Sequence, residues 1–552
     1  MAYGKPSHFS ILMLPALVFC APCVVADGGD IEKNRPLSHT NVFDMKSVDI
    51  GHDEDALVRE IVAPLGPIGV STDALGAVVV RDVRPDAAQG LQNIDAYDHL
   101  VETQAFDEIW PTPQGEQTVR VEGEIWTKAI QTALDEHGDV FVPQRDTPYY
   151  LDGPLVLRSG VRLHVADNAE LRLKPGANCC MVRNEHLISG HSGPLQLAQN
   201  ADADIAVTGG IWTTLATSWP QHNGNIQGWA DTTHSLLSHG VLLFSNVERL
   251  RVRNVTIRQC KPHAIQLSNC RHFLVEDIRF ENHRRDGVHV NGPAAFGVIR
   301  RIRNTVGAMG DDMIALNAWD WKNTSMTFGT IHHVLIEDVD GASATAFETG
   351  RDRRSEIRIL AGTKRFDDGT RLACDVEHCV LRSIGGIRTL KMYDQPNLEL
   401  GRNNDFADPI GNLRDLYFSN ITVQRPTDAP LFQIALNGDG ITIHDVSLGF
   451  DPLPTNETPY VLVQVGPLSQ TFKHNPNDPN TWVEIFSPDK DCGVNNLCVK
   501  NIRSGQGTQA GGKDIDPRAL VQTITQKPNP DYPNTTPRGG TGRGFLKWRA
   551  LR

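Results

Sequence analysis

Short runs of alternating apolar residues recur along this chain at a spacing near two dozen. Leu250-Arg251-Val252-Arg253-Asn254-Val255-Thr256-Ile257 is answered 23 residues later by Phe273-Leu274-Val275-Glu276-Asp277-Ile278-Arg279-Phe280. Gly297-Val298-Ile299-Arg300-Arg301-Ile302 follows after a further 24. The pattern returns at Val334–Val339, Cys379–Ile384, Leu416–Ile421, Ile441–Val446 and Cys498–Ile502. Each run is rich in β-branched residues, puts its apolar side chains on one side and closes on a polar pair. These are the marks of a half-buried strand. Long helical patterns between the runs are not evident, so a doubly wound α/β sheet fits poorly. A repeat in the low twenties predicts a parallel β-solenoid, each coil stacked about 4.8 Å above the last. The wider gaps predict coils that carry loops.

The open end of a solenoid needs a cover. Glu122 to Gly138 offers one: Ile125, Ile130, Ala133 and Leu134 fall on one helical face, and Gly138 is a natural stop. Strand signals resume at Val140-Phe141-Val142 and Leu155-Val156-Leu157. Upstream, Lys5 and His8 precede an apolar run from Ile11 to Ala26, with Val24 and Ala26 placed for cleavage before Asp27. The expected organisation is a signal peptide over 1–26, an N-terminal extension over 27–118, a parallel β-helix catalytic domain over 119–505 and a C-terminal tail over 506–552. The apolar run is short for a membrane span, and no later segment has the length of one. The protein is therefore expected to be secreted or periplasmic.

Composition narrows the classes. A 552-residue chain with 40% hydrophobic and 22% charged residues has ample length for a large core. A formal net charge of -13 argues against general nucleic-acid binding. Eight cysteines lie beyond the leader, and in an exported protein Cys374–Cys379 and Cys492–Cys498 are the expected local disulfides. No doubled CxxC, EF-hand spacing or phosphate loop is present, so no cofactor or metal is expected.

Candidate chemistry lies in Arg285-Asp286-Gly287-Val288-His289 and Gly310-Asp311-Asp312-Met313-Ile314. Asp286 is 25 residues from Asp311 and 26 from Asp312, close to one coil. Stacked coils would bring the three acids together, and clustered carboxylates can divide acid and base duties. The competing reading is a set of solenoid corners, which also favour Asp.

From Ala129 to Gly176 the chain resembles the opening of pectinase-type right-handed parallel β-helix proteins. Arg285-Asp286-Gly287-Val288 resembles the Asn-Thr-Asp-Gly segment of family 28 glycoside hydrolases, the polygalacturonase group. Gly310-Asp311-Asp312-Met313 resembles that family's Gly-Asp-Asp-Cys. The resemblance spans roughly Gly123 to Gly449. It implies an all-β fold: a right-handed parallel β-helix, a pectin-lyase-like solenoid with an N-terminal capping helix. It implies a glycoside hydrolase in which Asp312 is the general acid while Asp286 and Asp311 hold and deprotonate water.

The chain departs from the family. Arg284 and Arg285 replace Asn and Thr, and Gly-His-Gly is missing. Arg-Ile-Lys survives only as Arg358-Ile359-Leu360, with a second echo ending in Lys391. A polysaccharide with acidic sugars is the expected partner, since arginines crowd this region and Arg285, Arg358 and Lys391 suit carboxylates. Trp319 and Trp321 are candidate sugar platforms. His289 can orient water or tune a carboxylate. His332 and His333 are adjacent on a strand and so expected to face opposite ways; His333 is the candidate for the site. Two rivals stand beside the hydrolase: a lyase or epimerase on the same fold, and a non-catalytic glycan-binding solenoid.

Overall fold

The computed structural model describes residues 50–81, 90–112, 114–177, 179–188, 200–215, 240–260, 262–307, 310–320, 325–341, 356–366, 368–393, 410–426, 429–455, 458–466, 469–475, 478–486, 492–505, 512–524 and 544–548. These form a right-handed parallel β-helix with a helix near its N-terminal end. The leader and Trp321 lie outside the described residues.

The repeat runs are the rungs. Ten strands carry the central coils: β1 (Leu242–Arg253), β2 (Ile265–Glu281), β3 (Val288–Val306), β4 (Asp312–Asn317), β5 (Ile331–Asp340), β6 (Glu356–Leu360), β7 (Val376–Gly385), β8 (Thr389–Tyr393), β9 (Asn412–Val423) and β10 (Phe432–Ala435). One parallel sheet runs through the starts of β2 and β3 and through β4, β6, β8 and β10. Its register aligns Ile265, Val288, Ile314, Ile357, Leu390 and Phe432 in one inward row. All six are fully buried. At about 1.5–3 kcal/mol for each buried aliphatic side chain, such a row sets the register strongly, because a one-residue slip would turn it outward. The neighbouring outward row reads Gln266, His289, Ala315, Arg358, Lys391, Gln433.

Corners need a left-handed residue in each coil. Asn254, Asp277, Arg301, Asp338, Ser383, Asn420, Asp445 and Asn501 have φ between 51° and 57° and stand in one column. Asn and Asp tolerate that conformation better than other residues, which explains the polar pair closing each run. A second column holds His272, Phe296, His333 and His378, also at positive φ. Their rings stack in sequence, with centroids 5.6, 4.9 and 5.0 Å apart.

The predicted cap is present as α2 (Thr127–His137), burying Ala129, Ile130, Ala133 and Leu134 and ending on Gly138 at φ 70°. Glu122 to Ile125, expected on the same helix, instead end the strand Gly115–Ile125, paired antiparallel with Glu102–Thr112. A second helix, α1 (Ile50–Val62), lies on the outer wall. Its Leu57, Val58, Ile61 and Val62 pack on an outward apolar stripe of Leu274, Val298, Leu335 and Val380. Glu54 enters beside them, 2.6 Å from both His444 and Ser419.

Two tail segments pair with the coils: Val521–Thr523 with Val463–Val465, and Gly544–Trp548 with the strand starting at Cys492. Among the described residues no helix is long and apolar enough to cross a membrane. The expected local disulfides are not formed. Cys374 and Cys379 are buried thiols that donate to the carbonyls of Leu372 and Glu377 instead. Cys492 and Cys498 are likewise buried thiols. The solenoid's stacked hydrophobic interior shelters them without cross-links.

Candidate active site

The site forms where consecutive coils enter the sheet of β4, β6 and β8. Two residues before the inward row stand His263, Asp286 and Asp312 in three successive coils, with Glu356 at the start of the next. The glycines of the two motifs allow this close approach. A Cβ on Gly287 would meet the Met313 carbonyl at 2.6 Å, and one on Gly310 would meet the Arg284 carbonyl at 2.1 Å. The coil separation thus brings Asp286, Asp311 and Asp312 together, with one carboxylate oxygen of each within 4.8 Å of the others. Two unit charges at that distance repel by about 3.5 kcal/mol at an effective dielectric near 20, so the three cannot all stay ionised cheaply.

Their surroundings separate them. Asp286 Oδ2 accepts a hydrogen bond from His289 Nδ1 at 2.6 Å, and His263 Nε2 lies 3.8 Å away. Burial pushes the Asp286 carboxyl up, but His263, His289 and Arg358 outweigh it and hold it well below the usual carboxylate range. Asp312 is fully buried, and burial beside Asp286, Asp311 and Glu356 drives its carboxyl well above that range against the pull of Arg358. Arg358 Nε stands 2.9 Å from Asp312 Oδ2, yet neither Asp312 oxygen receives a hydrogen bond of good geometry. Arg358 Nη2 does donate to Asp311 Oδ1 at 3.1 Å. One carboxylate poised as an acceptor beside one poised as a donor is an acid/base pair by environment.

His289 sits between two acids. Its Nε2 is 3.3 Å from Asp320 Oδ2, and its ring stacks on His263 at 4.2 Å between centroids and 15° between planes. Burial lowers the His289 pKa, but bonds to Asp286 and Asp320 lift it to about 9. His263, Asp286 and His289 have metal-ligand chemistry, but near-parallel stacked rings share no point in both ring planes at bonding distance. Among the three acids the guanidinium of Arg358 already supplies the cationic charge. His283, pushed down to about 4 by burial, donates from Nε2 to the Asp286 carbonyl at 2.9 Å and so fixes the backbone there.

Several candidates fall elsewhere. Trp319 is buried in the main core, only 3% exposed, and offers no platform to a sugar. A large indole gains more from burial than a surface position allows. His333 belongs to the aromatic column on another wall, 3.1 Å from Glu60, and takes no part in the site. Its left-handed backbone breaks strand alternation, so His332 and His333 lie side by side, Nδ1 to Nδ1 2.8 Å, rather than on opposite faces. Arg285 is at the site, 3.9 Å from Asp311 Oδ2. Lys391 and Arg388 both pair with Glu356, at 2.9 and 3.0 Å.

Sequence reasoning did not single out His263, Glu356 or Asn317. For His263 a signal exists: it precedes Asp286 by 23 residues, the repeat length itself. The trio is largely covered. Asp286 is 3% exposed and Asp312 fully covered, while the Asp311 side chain keeps 15% of its surface.

No family model matches the chain, and no curated protein matches it. Among solved structures it is similar to the family 28 exopolygalacturonase of Yersinia enterocolitica, with 13% identity, a TM-score of 0.40 and 82% of each chain covered. It is similar to a polygalacturonase from Erwinia carotovora ssp. carotovora, with 13% identity and a TM-score of 0.36, over 73% of this chain and 93% of that one. It is similar also to PfbA, a surface adhesin of Streptococcus pneumoniae, with 13% identity and a TM-score of 0.37, over 75% and 91%. At 13% identity these likenesses are ones of fold alone.

Proposed function

We propose that this protein is an exported glycoside hydrolase that cleaves a polysaccharide containing acidic sugars by carboxylate acid/base catalysis. The observation that carries the reading is the split within the trio. Asp286 is held ionised by two imidazoles, and Asp312 is driven toward its protonated form one coil away. In the proposal substrate binding first uncovers the buried Asp286 and Asp312; Asp312 then protonates the glycosidic oxygen, and Asp286 with Asp311 orients and deprotonates the water. Asp311 and Arg358 are partly exposed, with side chains 15% and 13% accessible. Arg285, Arg388 and Lys391 supply cationic charge beside them, which favours carboxylated sugars.

The burial of Asp286 and Asp312 favours a second reading, a solenoid that binds glycan without cutting it. One experiment separates the two and also detects a lyase. Purified protein is offered charged and neutral polysaccharides, and products are read as reducing ends and as near-ultraviolet absorbance of unsaturated uronate. Hydrolysis yields reducing ends without that absorbance. Asp312→Asn then loses about 10²–10⁴-fold in rate, the usual worth of a positioned acid. Binding with no new reducing ends on any glycan, or equal turnover in Asp312→Asn, refutes the hydrolase.

A further inference from the structure

Beneath the carboxylate trio lies a set of fully buried polar groups that the proposed hydrolysis does not itself use. Gln266, Asn291 and Asn317 come from three successive coils, and Asp320 comes from the turn after β4. Asn317 Nδ2 donates to Asp320 Oδ2 at 2.9 Å. The same Asp320 oxygen stands 3.3 Å from His289 Nε2, and the other side of that ring donates to Asp286 at 2.6 Å. His289 is therefore gripped at both nitrogens by carboxylates from different coils.

We propose that Asp320 is a positioning residue: anchored by Asn317, it clamps His289, and His289 in turn fixes Asp286 Oδ2 as an acceptor and leaves Oδ1 to receive a proton. The proposal rests on the hydrolytic reading of the trio. Asp286 Oδ1 is buried and accepts no hydrogen bond, as a base awaiting a proton requires. Asn291 Nδ2 also approaches His289 Nε2, at 3.1 Å. Asn291 cannot reverse, because its Oδ1 accepts from Gln266, Ser268 and the Met326 amide. One neutral amide opposes two carboxylates, and the doubly protonated ring is the state the charges select. The other groups facing the ring are His263, stacked on it from the preceding coil, and, past Ala315, Arg358 from the far side of the trio. Both are cationic or cation-capable, so among the described residues Asp286 and Asp320 are the groups that hold the charge on His289.

The test uses the full-length protein labelled with ¹⁵N-histidine, read by the ring nitrogens of His289, alongside Asp320→Asn. Both ring nitrogens protonated at neutral pH, with a midpoint that falls by about one unit or more in Asp320→Asn, is the expected result. On a glycan that the wild type cleaves, Asp320→Asn loses about tenfold or more in kcat with KM nearly unchanged, its alkaline limb moves to lower pH, and Asp320→Glu restores part of the rate. A neutral His289 ring in the wild type overturns the clamp, even if the variant fails to fold. An unmoved midpoint or an unmoved pH profile in the variant also overturns it. If the wild type cleaves no glycan but the midpoint moves as stated, the clamp stands and the hydrolytic reading alone falls.

Discussion

Replacing Arg358 with methionine removes the guanidinium that stands against both Asp311 and Asp312 while keeping most of the side chain's volume. Arg358 stands 2.9 Å from Asp312 and 3.1 Å from Asp311, and its side chain is 13% exposed. Breaking a buried ion pair by deleting one partner costs about 3–5 kcal/mol. The lower end applies, about 3 kcal/mol at neutral pH, because Asp312 already leans toward its protonated form. The pH dependence follows from sign. Asp312 has a folded pKa raised above its unfolded value, and losing Arg358 raises it further. A carboxyl so raised destabilises the fold above its unfolded pKa, near 3.9, and the penalty fades as pH falls below that value. Urea denaturation of wild type and Arg358→Met at pH 7 and at pH 4 reads both numbers. The expected outcome is a gap of about 3 kcal/mol at pH 7 that persists at pH 4, because Asp312 is protonated in both folded proteins over that range. A gap under about 1 kcal/mol at pH 7 would mean the guanidinium does not neutralise the trio, and one that closes at pH 4 would mean Asp312 is ionised in the wild type.

Three further outcomes are expected. Gly310→Ala puts a Cβ 2.1 Å from the Arg284 carbonyl, so it should cost about 1–3 kcal/mol by overpacking and displace Asp311 and Asp312; thermal melts and the polysaccharide assay check it together. Leu335→Ala opens the stripe under α1 and should cost about 2–5 kcal/mol, with protease cutting near residues 50–62 before the coils yield. Burial lowers the His444 pKa, but Glu54 and Asp445 raise it overall, so their contribution is full below about pH 6.5 and lost as pH rises through the folded value. Glu54→Gln should therefore weaken the protein more at pH 6 than at pH 9, and equal losses in denaturant melts would contradict it.

The repeat spacing led to the coils and to the meeting of Asp286 with Asp311 and Asp312, because stacking converts one period of sequence into one step between neighbours; a separate helical pattern led to the α2 cap. The same rule points to His263, one period upstream. Trp319 and His333 were misplaced because motif proximity says nothing about which way a side chain leaves the wall. A left-handed corner at His333 reverses the alternation that a strand would impose. The cysteine pairing failed for a related reason: short spacing along the chain does not make thiols face one another.

Periodicity and composition determined that this polymer coils, which residues line its interior and which acids share a level, since those follow from local pattern and a fixed rise per coil. Burial and charge pairing were settled only by folding. Arg358 reached Asp311 across 47 positions, Glu54 met His444 across 390, and Asp312 was sealed from water. Such encounters depend on the summed path of every intervening loop, and their energies depend on the dielectric around them. No local pattern encodes either quantity.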